Sequence, residues 1–144
     1  MTTRFSYGCC LILSAVVCGL AMVGGCNRNE LPRVIVEGMV TYEGQPIQEG
    51  MILFYPVEGT AGPVSSARIM AGRYSLSNKD GVPLGKHRVV IEGYKAPSPD
   101  AHPDAGPVQY LPSLFNRDSQ LIAEISGGTS LVEKDFSLAE PSQL

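Results

Sequence analysis

Arg33-Val34-Ile35-Val36-Glu37-Gly38-Met39-Val40-Thr41-Tyr42, followed at once by Glu43-Gly44-Gln45-Pro46, decides the fold class. Val34, Val36 and Val40 fall on one side of an extended chain and Glu37 and Thr41 on the other, which is the two-residue period of a strand with one buried face. The Gly and Pro that follow mark a tight turn. Working outward, the same alternation recurs. Residues 51–55 form an apolar run with Ile52 and Phe54 inward, ended by Pro56. Residues 65–70 and 73–77 read as a hairpin around Ala71-Gly72, with Tyr74 and Leu76 on one face. Residues 87–92 place Val89 and Ile91 inward, and residues 121–126 align Leu121, Ala123 and Ile125. Residues 131–138 align Val132, Phe136 and Leu138. No segment sustains a 3.6-residue period. Seven short strands separated by turn signals predict an all-β domain, a seven-stranded antiparallel β-sandwich over residues 33–139.

The composition agrees. The chain has 144 residues, 44% of them hydrophobic, with 16 Gly and 11 Pro, enough for one buried core and too little for a two-domain enzyme. A net charge of -3, without a basic or aromatic-interleaved stripe, excludes nucleic acid as a partner.

The first residues read as an address rather than as part of the fold. Arg4 precedes an apolar run over residues 9–22, and Val23-Gly24-Gly25-Cys26 follows. Fourteen residues of helix fall short of a bilayer core of about 30 Å, so the segment is a signal peptide and not a spanning anchor. The ending resembles the lipobox of bacterial lipoproteins. That resemblance implies cleavage after residue 25, with Val23, Gly24 and Gly25 as the signal-cleavage motif, and acylation of Cys26, which ties the chain to a lipid bilayer. Asn27, where Asp would favour the inner membrane, points by the same resemblance to the outer membrane, on its periplasmic or cell-surface face. Cys9, Cys10 and Cys18 lie in the leader, so the remaining domain is expected to hold together without disulfides. Residues 26–32 form a polar tether that reaches about 20 Å when extended, and residues 140–144 form a tail.

Chemistry is sparse in the sequence. Ser65-Ser66 has no nucleophile elbow around it, and His87 and His102 lack a zinc-binding spacing. Asp100-Ala101-His102-Pro103-Asp104 reads as solvated loop charge, and Asn78-x-Asp80-Gly81 as a plain turn, because His87 stands where a calcium loop needs its last carboxylate. Glu37, Glu92 and Glu124 take outward strand positions and receive no role. Lys134 sits at an inward position that could be tested against Asn116 as a covalent crosslink, but a Lys with its head in solvent is the simpler reading. No catalytic residue, metal or cofactor is expected. One segment breaks the rhythm of strands: residues 94–119 carry Pro97, Pro99, Pro103, Pro107 and Pro112. Within it, residues 111–116 are expected to form a helical turn pinned by Leu114 and Phe115. The segment reads either as a crossover that packs a few apolar residues over the end of the sandwich or as a binding loop, of which Tyr94, Tyr110 and Phe115 are the candidate contact residues.

An ordered series of short motifs then carries a resemblance. Val36-x-Gly38-x-Val40, Gly44-Gln45-Pro46-Ile47, Ile52-x-Phe54-x-Pro56, Gly72-Arg73-Tyr74-Ser75-Leu76 and Pro83-Leu84-Gly85-Lys86-His87-Arg88-Val89 make residues 34–138 similar to the carboxypeptidase regulatory-like family. The chain departs from that pattern at His87, where Tyr is common, and in its longer, Pro-rich insert at 94–110. The resemblance implies a transthyretin-like (prealbumin-like) sandwich carried by a small lipoprotein. Its hydrolase relatives end in Tyr-Arg-Gly-Ser, whereas Glu140-Pro141-Ser142-Gln143-Leu144 closes this sequence, so no enzymatic activity is expected. The expected role is a structural or protein-binding accessory of the cell envelope. The alternative is a carbohydrate or small-ligand module that uses Tyr94, Tyr110 and Phe115 as an aromatic platform.

Overall fold

β1 (Arg33–Tyr42) is the strand on which the sheet is assembled, and its alternation is the one its sequence prescribes: Val34, Val36 and Val40 are buried. The computed structural model describes residues 31–77, 81–102 and 104–140. The leader, Cys26 with its cleavage motif, most of the tether, residues 78–80 of the predicted turn and residues 141–144 lie outside the described residues. After β1 come β2 (Gln45–Pro46), β3 (Glu49–Pro56), β4 (Ser65–Met70), β5 (Arg73–Leu76), β6 (Val82–Pro83), β7 (Gly85–Lys95) and β8 (Val108–Gln109). A 3-10 turn at Ser113–Phe115 and then β9 (Leu121–Ile125), β10 (Leu131–Glu133) and β11 (Phe136–Leu138) complete the order.

Two hairpins are set by their turn residues. Glu43 and Gly44 between β1 and β2, and Ala71 and Gly72 between β4 and β5, all have positive φ (48°, 76°, 49° and 79°). Positive φ at both central positions is what a two-residue connection needs to match strand twist.

Hydrogen bonding links the strands in the order β10-β1-β5-β4-β3-β7-β8, with β11, β2 and β6 also on β1 and β9 also on β7. The fold is all-β, a curled and mainly antiparallel sheet with the shape of a half-barrel. Its curl can be measured. Laid flat, β3 would stand about 19 Å from β11, four inter-strand spacings away, yet the Phe54 ring on β3 meets the Phe136 ring on β11 at 6.2 Å. Val36, Ile52, Ile69, Leu76, Val89, Ile91 and Ile125 fill the concave side.

The structure differs from the sequence reading in three respects. Among the described residues it has eleven strand segments instead of seven, because β2, β6 and β8, each of two residues paired with a longer neighbour, are added and the predicted last strand is split into β10 and β11. The pairing is not wholly antiparallel: β10 and β11 run parallel to β1. The predicted last strand is also broken at Lys134–Asp135, although the register is unchanged across the break, Glu37 opposite Glu133 and Val40 opposite Phe136. The cause is local. The Asp135 carboxylate accepts the Met39 N–H at 2.7 Å, and the Lys134 carbonyl accepts the Tyr74 hydroxyl at 2.7 Å. Gly38 leaves room for that carbonyl, since a Cβ there would lie 2.0 Å from it.

Candidate functional site

The outward side chains of β1, β5, β4, β3 and the end of β7 make one continuous surface. Cross-strand register aligns them in rows. Met39 faces Arg73, Arg73 faces Met70, Met70 faces Glu49, and Glu49 faces Tyr94. Two residues further along, Arg68 faces Met51, and Met51 faces Glu92. Met39, Met51 and Met70 are all the methionines of the described residues, and Met70 is 68% exposed. Their positions follow from the pleat: Ile52, Phe54, Ile69 and Leu76 turn inward, so their neighbours must turn out.

This face carries two adjoining cavities. One, of about 570 Å³, has Met51 and Met70 among its lining residues, with Arg68, Tyr94 and Pro107. The other, of about 470 Å³, lies over Met39, Arg68, Met70, Arg73 and Ser75, with Glu37 and Glu133 also in its lining. A third, of about 390 Å³, opens at the sheet end between Tyr94, Lys95 and Tyr110.

Tyr94 borders the first and third cavities, and its hydroxyl is tied to the Glu92 carboxylate. Hydrogen bonding to that carboxylate, and then partial burial, push the Tyr94 phenol up to about 12, so it is a neutral donor with a fixed direction. Glu92 was given no role by the sequence, and here it holds the tyrosine that separates two cavities.

The three loop residues singled out from the sequence do not form a platform. Phe115 is buried at 4% exposure and meets Tyr42 edge-on at 6.0 Å. Tyr110 lies on the inner side, over Gly93, where a Cβ would come within 2.9 Å of its ring, and it meets Tyr42 at 6.2 Å. Tyr94 turns to the outer face. The helical turn exists at Ser113–Phe115, but Leu111 and Phe115 pin it, whereas Leu114 is exposed. Asn116 is engaged in that turn: its Nδ2 donates to the carbonyls of Leu111 and Pro112 and its Oδ1 accepts the Arg117 N–H. Its amide is therefore not free for a crosslink to Lys134.

His102 and Asp104 approach to 3.6 Å while both stay in solvent. Among the described residues no group of three or more His, Cys, Asp or Glu side chains could hold a metal ion. His87 is different. It is fully buried, its Nδ1 lies 3.1 Å from the Gly85 carbonyl, and its Nε2 has no partner. The Phe54 ring stands 6.0 Å away, edge to face. Desolvation pushes the imidazole below its usual range, so it is neutral at pH 7. The signal for its burial was present in the sequence, because His87 has the same parity as Val89 and Ile91.

Compared with known proteins, the chain matches no family model, no curated protein and no solved structure.

Proposed function

We propose that this protein is a lipid-anchored accessory of the bacterial cell envelope, exported by its leader, held at the outer membrane by acylated Cys26, and binding another envelope protein through the outer face of its sheet. The domain would be a non-catalytic, transthyretin-like sandwich of the carboxypeptidase regulatory-like kind. The ordered motifs support that assignment, and so does a curl deep enough to bring Phe54 against Phe136.

The observation that carries the docking reading is the cluster of methionines. A solvent-facing sheet side ordinarily carries polar residues, yet here Met39, Met51 and Met70 line two adjoining cavities bordered by Arg68, Arg73 and Glu49. Unbranched thioether side chains adapt to differently shaped partners and are over-used at binding surfaces. An apolar floor inside a charged rim is the usual anatomy of a protein interface.

The test is photo-crosslinking in intact cells from a benzoylphenylalanine placed at position 51, with Cys26→Ala in parallel. One recurrent envelope protein captured by the native anchor, with acylation at Cys26 and loss of both membrane residence and capture in the Ala variant, is the expected result. A chain that is soluble, unacylated or without a recurrent partner overturns the proposal. The cavity between Tyr94 and Tyr110 favours a second reading, a carbohydrate or small-ligand module. Saturable binding of a glycan that is lost in Tyr94→Ala would select it.

A further inference from the structure

Five arginines lie among the described residues, and the fold uses three of them. Arg33 donates to the Gly81 carbonyl at 3.0 Å, Arg88 stacks over the Tyr55 ring at 5.0 Å, and Arg117 pairs with Asp118 at 3.4 Å. Arg68 and Arg73 have no ion pair, hydrogen bond or aromatic partner among the described residues. Both side chains border the same cavity of about 470 Å³. They come from the two arms of one hairpin. Arg73 faces Met70, and Arg68 lies two residues back along β4, so the guanidinium groups are diagonal neighbours on one face.

A guanidinium presents a fork of donors suited to two oxygens of one anion. Two such forks, with no acid among the described residues within ion-pair distance, form a receptor for a carboxylate. The charge changes sign across the cavity, beginning at Glu37, which is itself the diagonal neighbour of Arg73 across β5 and β1. Glu37 faces Ser75 on one neighbour and Glu133 on the other, so Arg68, Ser75, Glu37 and Glu133 occupy successive strands β4, β5, β1 and β10. At about 4.8 Å per strand, Glu37 stands roughly 10 Å and Glu133 about 14 Å from Arg68. Met39, two residues from Glu37 along β1 and opposite Arg73, borders this line on one side.

We propose that this cavity binds an extended peptide segment of a partner, with an acidic side chain on Arg68 and Arg73, a basic one on Glu37 and Glu133, and an apolar one between them over Met39. The spacing fits. In an extended chain, residues two and four positions apart share a face and lie about 7 and 13 Å apart. An acid and a base four residues apart therefore bridge the two ends. This inference rests on the docking reading above and adds the chemistry of the segment that docks.

The probe is fluorescein-labelled Glu-Thr-Val-Thr-Lys, blocked at its carboxyl end, followed by anisotropy and by the arginine side-chain N–H signals in NMR. Controls are the same peptide with Gln for Glu, the same with Gln for Lys, and inorganic phosphate. Expected are saturable binding with shifts confined to Arg68 and Arg73, and about tenfold weaker binding in Arg68→Gln/Arg73→Gln, with the preference for Glu over Gln abolished. Glu37→Gln/Glu133→Gln should abolish only the preference for Lys over Gln. Arg68, Arg73 and Glu133 are exposed, Glu37 is half-buried and the two arginines have no partner among the described residues, so the variants should keep the native circular dichroism spectrum. No saturation by the native protein, equal binding by the double-arginine variant, or full competition by phosphate would each overturn the proposal. Crosslinking at position 51 reads the docking reading separately, since a partner can be captured there even when this peptide does not bind.

Discussion

At the scale of one residue, His87 joins stability to pH. Its imidazole is fully buried against Phe54, with Nε2 unpartnered. Desolvation, the leading cause, lowers its pKa below the ordinary value near 6.5, and the Gly85 carbonyl opposes that only in part. The unfolded chain therefore takes up this proton at a higher pH than the folded one does. Stability from the neutral imidazole is complete above pH about 6.5 and is lost as pH falls through that value toward the folded pKa. The flanking charges do not interfere, because Lys86, Arg88 and Glu124 take the outward parity, while Pro56 and Ala123, opposite it on β3 and β9, and the Phe54 ring beside it are uncharged. Tyr74 on the inner side is held to the Lys134 carbonyl, and burial keeps its phenol protonated. Thermal denaturation should show the melting temperature falling between pH 7.5 and 5.5 in the native protein and staying nearly level in His87→Leu. Leu also removes an orphaned nitrogen that costs about 1–3 kcal/mol. Parallel pH profiles for the two proteins would show that His87 is not the titrating group.

Among the elements, the break between β10 and β11 is maintained by a side chain. The Met39 N–H would be left to water without the Asp135 carboxylate. Asp135→Ala should cost about 1 kcal/mol and lower the melting temperature by roughly 4–8 °C, and Asp135→Asn, which keeps an acceptor oxygen, should recover most of it. Equal losses in Ala and Asn would mean that the carboxylate's charge, not its hydrogen bond, matters. This break also shows where the sequence was legible. β1 and β4 have the limits their alternation predicts, because a half-buried strand of six to ten residues repeats its period often enough to be read. β2, β6 and β8 contain one period each, so nothing in their own residues distinguishes them from turns. Val132, Phe136 and Leu138 keep an uninterrupted alternation through the break, whose cause is a contact with Met39, 96 residues earlier. The candidate site was hidden for a related reason. Arg68, Met70 and Arg73 occupy outward positions that look like ordinary solvated face until register brings them to one cavity, and Phe115, readable either as a pin of its turn or as a contact aromatic, is carried into the core by that turn.

For the whole domain, the covalent order and the spatial order of the sheet separate the parts that can be lost from those that cannot. Lys95 and Val108 pair directly, so the ends of the intervening Pro-rich loop are already adjacent. Loop-closure entropy changes slowly with length, and the residues described there are mostly exposed. Replacing residues 98–105 with a short Gly-Ser linker should therefore change stability by less than about 1 kcal/mol. β11 behaves in the opposite way. It is the last strand described, it pairs with the first long strand, and it carries Phe136 against Phe54 and Leu138 at 3% exposure. Leu138→Ala should cost about 2–5 kcal/mol, the range for truncating a buried leucine. Denaturant titration of the two variants beside the native domain tests the contrast. If the loop replacement proved the costlier change, the loop would be a structural part of the half-barrel and the burial of Leu138 would not be what closes the sheet.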